Sequence, residues 1–558
     1  MQIGRTTESR ACRAAGLFVL SGLAATLAPA TGAAQESPVD AVETGTAPDE
    51  GAGDEGFVFE AGDVGSVTAG TPVARFMDEG LRYYGREDYA PASVFFWRVV
   101  QEQDVSADAL RPRAQYELAR TLTRMQMWQG ALRFFDDIIA TGPTHPYFEA
   151  SAPWVVLIAR RVPGDAQMLR RVAAFADLFP DRVEPKYRDE MAFMLGEQAF
   201  NSGELEQALR YFGAVSDAST YHARALYYAG ITHVRLYDAQ PAVDAFKTLL
   251  SARQNAASGD ELERLDDLAM LSIARTFYST GEFEKSLRYF GQIPQDSSTW
   301  LDALFESSWA YFRVSDFNRA LGNLHSLNSP YFSSQYYPEA PVLQAVILFR
   351  NCRYTGVRRT LDRFDDVYMP LLRQLEQTTS SLQGDREYAT FYKDAERRLA
   401  ADFDPRLAQI TSAALSDRSV RLASEYASRV EDEAGLIEGA DPAWAGSDLA
   451  VFLRDVVADE REQADGQLGR QVRVRIERIL EDLRGRKRDA EAIRVEADLA
   501  EANAIRAELR SQQVATTGRE VQAAREPAWY EMSWPFEKEY WRDELGHYSY
   551  HIASKCEQ

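Results

Sequence analysis

One pattern recurs along the first two thirds of this 558-residue chain and limits its fold more than any other feature. A small residue is followed twelve positions later by a second small residue and four after that by an aromatic or leucine. The series runs Gly80, Ala92, Phe96; Ala119, Ala131, Phe135; Gly196, Ala208, Phe212; Gly230, Ala242, Phe246; Ala274, Ser286, Phe290; and Ser308, Ala320, Leu324. Ala345, Val357, Leu361 is a degenerate last member, and a blurred unit covers Trp154 to Phe179. Adjoining clear members start 34 to 44 residues apart, a period at which each unit is one supersecondary element stacked on the next. Small residues allow two helices of one unit to approach closely, and the large residue fills the space beside them. The expected fold class is all-α: a superhelix of helical hairpins over residues 74–368.

The segment Ala192-Phe193-Met194-Leu195-Gly196-Glu197-Gln198-Ala199-Phe200-Asn201-Ser202-Gly203-Glu204-Leu205-Glu206-Gln207-Ala208-Leu209-Arg210-Tyr211-Phe212 resembles the tetratricopeptide repeat family, whose unit of about 34 residues is a helix–turn–helix. Tyr83, Phe277 and Tyr311 match its further aromatic position and Pro143 its closing proline. Ser251 to Asp260 departs from the pattern as a lengthened loop. The resemblance implies that ligand peptides lie in a concave groove lined by the first helix of each hairpin. Here that groove would present Tyr84, Tyr116, Arg120, Phe193, Phe200, Tyr227, Arg275, Tyr278, Phe305, Trp309 and Phe312. It is aromatic and apolar, with Arg120 and Arg275 as isolated charges. Such a surface is not left open to water, so a partner or the chain's own aromatic tail is expected to fill it.

Outside the repeats the character changes three times. Met1 to Arg13 is basic through Arg5, Arg10 and Arg13, Ala14 to Ala30 is uncharged, and small residues follow to Ala34. Residues 1–34 therefore read as a signal peptide, with no later stretch apolar enough to span a bilayer. Gln35 to Ala74 holds nine acids and no Lys or Arg; residues 35–73 read as a flexible acidic leader. Residues 369–512 read as charged helices, Leu371 to Phe403, Arg406 to Glu438 and Asp448 to Arg510. The third carries Val472, Ile476, Ile479, Leu483, Ala490, Ile493 and Ala497 at heptad spacing, interrupted at Gly485-Arg486. That stripe packs either on the preceding helices or on a second copy, by self-association through 448–510. Residues 513–558 form a tail crowded with Trp529, Tyr530, Trp534, Phe536, Tyr540, Trp541, Tyr548 and Tyr550.

Charge and chemistry narrow the function. The 85 acids against 62 Lys and Arg give a formal net charge of −23, the wrong sign for a nucleic-acid backbone as main partner. Losing residues 1–34, with three Arg and one Glu, would take it to −25. No phosphate loop, nucleophile elbow or paired-cysteine motif is present, and no cofactor or metal is expected. His547 and His551 read as part of an extended segment. Of three cysteines, Cys12 leaves with the signal peptide, so Cys352 and Cys556 are candidates to pair in an oxidising compartment. The expected function is a non-enzymatic scaffold binding protein partners in a Gram-negative envelope complex of the motility, division or outer-membrane assembly type. A peptidoglycan-active enzyme or glycan-binding protein built on a helical superhelix is the alternative.

Overall fold

The computed structural model describes residues 71–556 except 104, 179–184, 252–258, 395–404, 416, 513–530, 534, 535 and 537. The signal peptide, nearly all of the leader, and Trp529, Tyr530 and Trp534 lie outside the described residues.

Among the described residues eight hairpins follow one another. They are α1 (Pro72–Tyr84) with α2 (Tyr89–Gln101), α3 (Arg111–Arg124) with α4 (Trp128–Thr141), α5 (Phe148–Arg161) with α6 (Met168–Ala173), and α7 (Pro185–Ser202) with α8 (Leu205–Phe212). Then come α9 (His222–Arg235) with α10 (Ala239–Ser251), α11 (Gly259–Ser279) with α12 (Phe283–Phe290), α13 (Trp300–Arg313) with α14 (Phe317–Leu327), and α15 (Glu339–Arg350) with α16 (Tyr354–Ser381).

The small residues of the repeat sit where the two helices cross. A β-carbon added at Gly80 would lie 2.6 Å from the ring of Phe96, and at Gly196 or Gly230 2.4 Å from Phe212 or Phe246. Ala92, Ala208, Ala242 and Ala320 are wholly buried beside them. We expect Gly196→Ala, which forces a methyl against the Phe212 ring, to lower unfolding free energy by about 1–3 kcal/mol, as read from thermal melts followed by helical circular dichroism. An unchanged melt would mean that this crossing is loose.

Each turn within a hairpin uses one left-handed residue, seven positions after the first small residue. These are Glu87, Gln126, Gly203, Tyr237, Gly281, Ser315 and Cys352 at φ between 54° and 81°. The next residue then donates its N–H back to the first helix, as Asp88 does to the Tyr83 carbonyl at 3.0 Å and Arg353 to that of Leu348 at 2.9 Å. This is the Schellman closure of a helix end. Its presence at Cys352 makes the degenerate last member a full hairpin. The blurred unit also turns on a left-handed residue, Gly164 at φ 89°.

Beyond the hairpins lie α17 (Asp385–Lys393), α18 (Pro405–Leu415), α19 (Arg418–Glu438) and α20 (Asp448–Gln512). At 1.5 Å per residue α20 spans nearly 100 Å. Helix α19 packs antiparallel on its first half, with Tyr426 donating to Glu460 and Arg461 pairing with Glu431 at 2.8 Å. Helix α17 packs antiparallel just before the midpoint of α20 through Arg473–Asp385 at 2.9 Å, and α16 packs antiparallel on its second half through Arg484–Glu376 at 2.8 Å and Arg494–Asp365 at 2.9 Å. All seven stripe residues from Val472 to Ala497 are buried within the chain, so the heptad seam serves intrachain packing, and Gly485 does not interrupt the helix.

Two expected boundaries move. Helix α16 continues through Pro370 to Ser381: the proline removes one backbone bond, but Leu371, Leu372 and Leu375 are buried just beyond it and hold the helical register. The helix expected over Arg406 to Glu438 is two, because the Asp417 carboxylate accepts the Val420 N–H at 2.8 Å and starts α19 afresh.

Candidate functional site: the inner groove and what closes it

Most of the residues expected to line the concave groove are buried within this chain. Tyr116, Phe193, Phe200, Tyr227, Phe305, Trp309 and Phe312 are buried, while Tyr84, Arg120, Arg275 and Tyr278 are half-buried. The two arginines are not isolated. Arg120 pairs with Glu117 at 2.8 Å and lies over the rings of Tyr84, Tyr116 and Trp154 at 4.9 to 5.5 Å. Tyr116 stacks on Tyr147 at 4.9 Å and accepts the Trp154 indole N–H at 3.2 Å. Arg275 meets Glu306 through two nitrogens, Nε to Oε2 at 2.8 Å and Nη2 to Oε1 at 2.6 Å. Its charge is spent inside the superhelix. Phe193 packs among Phe212, Tyr221 and Tyr228, and Phe305 lies 5.5 Å from Tyr337.

Part of the closure comes from the long helices, which the sequence reading did not assign to the groove. At the N-terminus of α19 Arg418 donates to the Tyr228 hydroxyl at 3.4 Å, with Glu197 beside it. Farther along, Trp444 donates to Ser93 at 3.0 Å, and Phe452 of α20 packs 4.8 Å from Trp97 and 5.9 Å from Phe134. The Gly164 turn is held by the side chain of Gln467, which donates to its carbonyl at 2.7 Å, and a β-carbon there would lie 2.2 Å from the Leu422 carbonyl oxygen. At the far end Tyr336 donates to Asp482 at 3.2 Å, and Arg486 reaches both Asp482 at 3.1 Å and Glu339 at 3.6 Å. Burial pushes the Glu339 carboxyl up to about 7 against the pull of Arg486.

The contact with the strongest chemical signature is Glu433. This carboxyl, 1% exposed, accepts the N–H groups of Gln129 at 2.8 Å and Gly130 at 3.1 Å. It therefore caps the N-terminus of α4 from 304 residues away in sequence. A helix start has unsatisfied donors and a positive dipole end, and α4 has no capping side chain of its own. Burial nevertheless dominates and pushes the carboxyl up to about 7, opposed by the backbone N–H bonds. A carboxyl raised on folding adds stability that is complete below its unfolded value near 4.5 and is lost as pH rises through 7. Between pH 4 and pH 8 the parent should thus lose about 3 kcal/mol relative to Glu433→Gln, measured as the difference between their urea midpoints. A constant difference would mean that the site is hydrated.

Among the described residues the tail lies on α14, the second helix of the seventh hairpin, and not in the groove. Gly546 donates to Ser326 at 2.9 Å and Tyr550 to the Asn318 carbonyl at 3.0 Å. A β-carbon on Gly322 would fall 1.7 Å from the Tyr548 carbonyl oxygen, so only glycine admits the tail at that point. The His325 ring stacks on Tyr540 at 4.7 Å and meets Phe536 and Tyr548 edge-on at 4.6 and 5.1 Å; burial holds its imidazole below the usual range. The extended segment expected here is not seen: His547 closes a turn by donating to the Glu544 carbonyl at 3.0 Å, and residues 548–552 form neither helix nor strand. The end of the tail is joined to the last hairpin turn by a Cys352–Cys556 disulfide with Cα atoms 5.1 Å apart. Among the described residues no group of three or more His, Cys, Asp or Glu could hold a metal ion, and no helix is long and apolar enough to cross a membrane.

No family model and no curated protein matches the chain. Among solved structures it is similar to a tetratricopeptide repeat protein from Parabacteroides merdae, at 14% identity over 53% of this chain and 92% of that one, TM-score 0.24. It is similar also to the apo form of RapI, at 11% identity over 61% and 97%, TM-score 0.32. A Rap protein complexed with competence and sporulation factor aligns at 12% identity over 71% and 99%, TM-score 0.27. The hairpins' own crossings and turns carry the conclusion: this chain is a tetratricopeptide-type all-α superhelix braced by its own long C-terminal helices.

Proposed function

We propose that the chain is a non-enzymatic, protein-binding scaffold exported to a Gram-negative cell envelope, where it serves a complex of the motility, division or outer-membrane assembly type. The observation that carries this reading is α20, a continuous helix braced at one end on Trp97 and Phe134 and at the other on α15 and α16. Tying both ends of a stack of hairpins to one rod removes the springiness of an open superhelix and leaves outer surfaces at fixed separations, which is what a scaffold supplies. The Cys352–Cys556 disulfide and the signal-peptide pattern of residues 1–34 support the envelope location, since disulfides persist in oxidising compartments.

The test is in-cell crosslinking of the full-length protein followed by fractionation. Recovery from the periplasmic fraction in defined crosslinked heterocomplexes is the expected result. Recovery from the cytoplasm, or release of muropeptides from purified sacculi by the isolated protein, would overturn the reading.

A further inference from the structure

The seam of α20 is covered by the chain, but the opposite side of its last turns is not. Ala490, Ile493 and Ala497 face inward and are buried, whereas Val495, Leu499, Ile505 and Leu509 are 59%, 60%, 52% and 58% exposed. Spacings of 4, 6 and 4 put these four on one arc of the helix, extended over about 21 Å, two heptads of apolar surface. Residues 503 to 507 are exposed in succession on every side, so the helix end stands clear of the described chain. Isolated apolar residues on a surface need no explanation, but four aligned on a projecting helix mark a contact.

The charges around the stripe select the occupant. Between residues 491 and 509 lie five acids, Glu491, Glu496, Asp498, Glu501 and Glu508, against Arg494 and Arg506. From α16, Asp362 and Asp365 engage Arg494 at 3.2 and 2.9 Å, and Arg358 pairs with Asp498 and Glu501 at 3.0 and 2.7 Å, so the charges beside the stripe come to seven acids against three arginines. A second copy would set these acids against themselves, which like-charge juxtaposition disfavours. An anionic lipid surface calls for Lys and Arg on the polar flanks of an interfacial helix, and here the flanks are acidic. Resting on the scaffold reading above, we propose that residues 495–509 of α20 dock a cationic amphipathic helix of another protein, with apolar residues at 3 and 4 spacing in its centre and Lys or Arg along both flanks. Helix-on-helix docking of this kind is read by the apolar anchors and oriented by the flanking charge.

The probe is a helical peptide of about 18 residues with Leu at heptad positions a and d and Lys at e and g, titrated against the full-length, disulfide-intact protein by fluorescence anisotropy. A second peptide carries Glu in place of Lys. Saturable binding of the Lys peptide is expected, weakened by salt and reduced about tenfold or more by Leu499→Glu with Leu509→Glu. Both substitutions replace exposed residues, and an unchanged melt verifies the fold. The Glu peptide should not bind. Equal binding of the Lys peptide to parent and double variant would mean diffuse attraction to an acidic protein and would overturn the proposal, as would no saturable binding. A parent dimer abolished by the double variant would assign the stripe to a second copy instead, and loss of binding to phosphatidylglycerol vesicles would assign it to lipid. If the peptide fails while crosslinking still recovers periplasmic heterocomplexes, only the α20 docking face falls and the scaffold stands.

Discussion

Reduction of the Cys352–Cys556 bond, or Cys352→Ser, is expected to lower the melting temperature of the protein and to free the tail for proteolysis at Lys555 and Arg542. The bond joins residues 204 positions apart, and for a closed loop of that length the chain-entropy account gives roughly 5 kcal/mol, an upper figure. Reduction leaves non-covalent contacts holding the tail, among them Lys555 donating to the Asn351 carbonyl at 3.0 Å, Ile552 to the Asn318 side chain at 3.1 Å, Gly546 to Ser326 at 2.9 Å, and the rings around His325. Each such bond contributes only about 1 kcal/mol net. The tail should therefore be released over a narrow range of temperature once the covalent tie is gone. Melts with and without a phosphine reductant check this, with Cys352→Ser as the control that reductant no longer affects. A parent whose melt is unmoved after both thiols have become alkylatable would show that the tie is redundant.

Trp309→Ala is expected to cost about 3–5 kcal/mol of stability. On an open groove the same change would weaken a partner and spare the fold, but the ring is 2% exposed and lies edge-on to Phe312 at 5.9 Å. Truncation therefore opens a cavity inside the superhelix. The indole N–H is buried without an acceptor among the described residues, a placement that costs free energy in the parent. Trp309→Phe, which deletes that donor while keeping most of the ring volume, should cost clearly less than Trp309→Ala. Chemical denaturation of the three proteins decides the matter: equal stability of Trp309→Ala and parent would return Trp309 to the list of partner-binding residues.

The repeat was legible because close helix crossings leave little choice of residue. Gly80, Gly196 and Gly230 must be small where the ring sixteen positions later covers them, and that constraint is local to one hairpin. Even Cys352, in the weakest repeat, falls in the turn position that this spacing assigns. The heptad stripe of α20 was legible for the same reason, as a local periodicity that says a face is covered.

What covers each face was not legible. The groove's apolar rings announce that they are buried, yet Arg418 and Glu197 lie 221 positions apart, and neither carries a local sign of the other. Glu433 looks like any acid on a charged helix until α4, which lacks a capping side chain, is placed beside it. The tail's aromatics fit an apolar groove as readily as a helix surface; Gly322, where any side chain would meet the Tyr548 carbonyl, puts Phe536, Tyr540 and Tyr548 against His325 of α14. By itself the sequence determined the hairpins, their order and the existence of apolar faces, because those follow from spacing within a few turns of chain. Only the tertiary structure decided which face met which, because pairing between distant elements depends on summed shape and desolvation at contacts that no local pattern encodes.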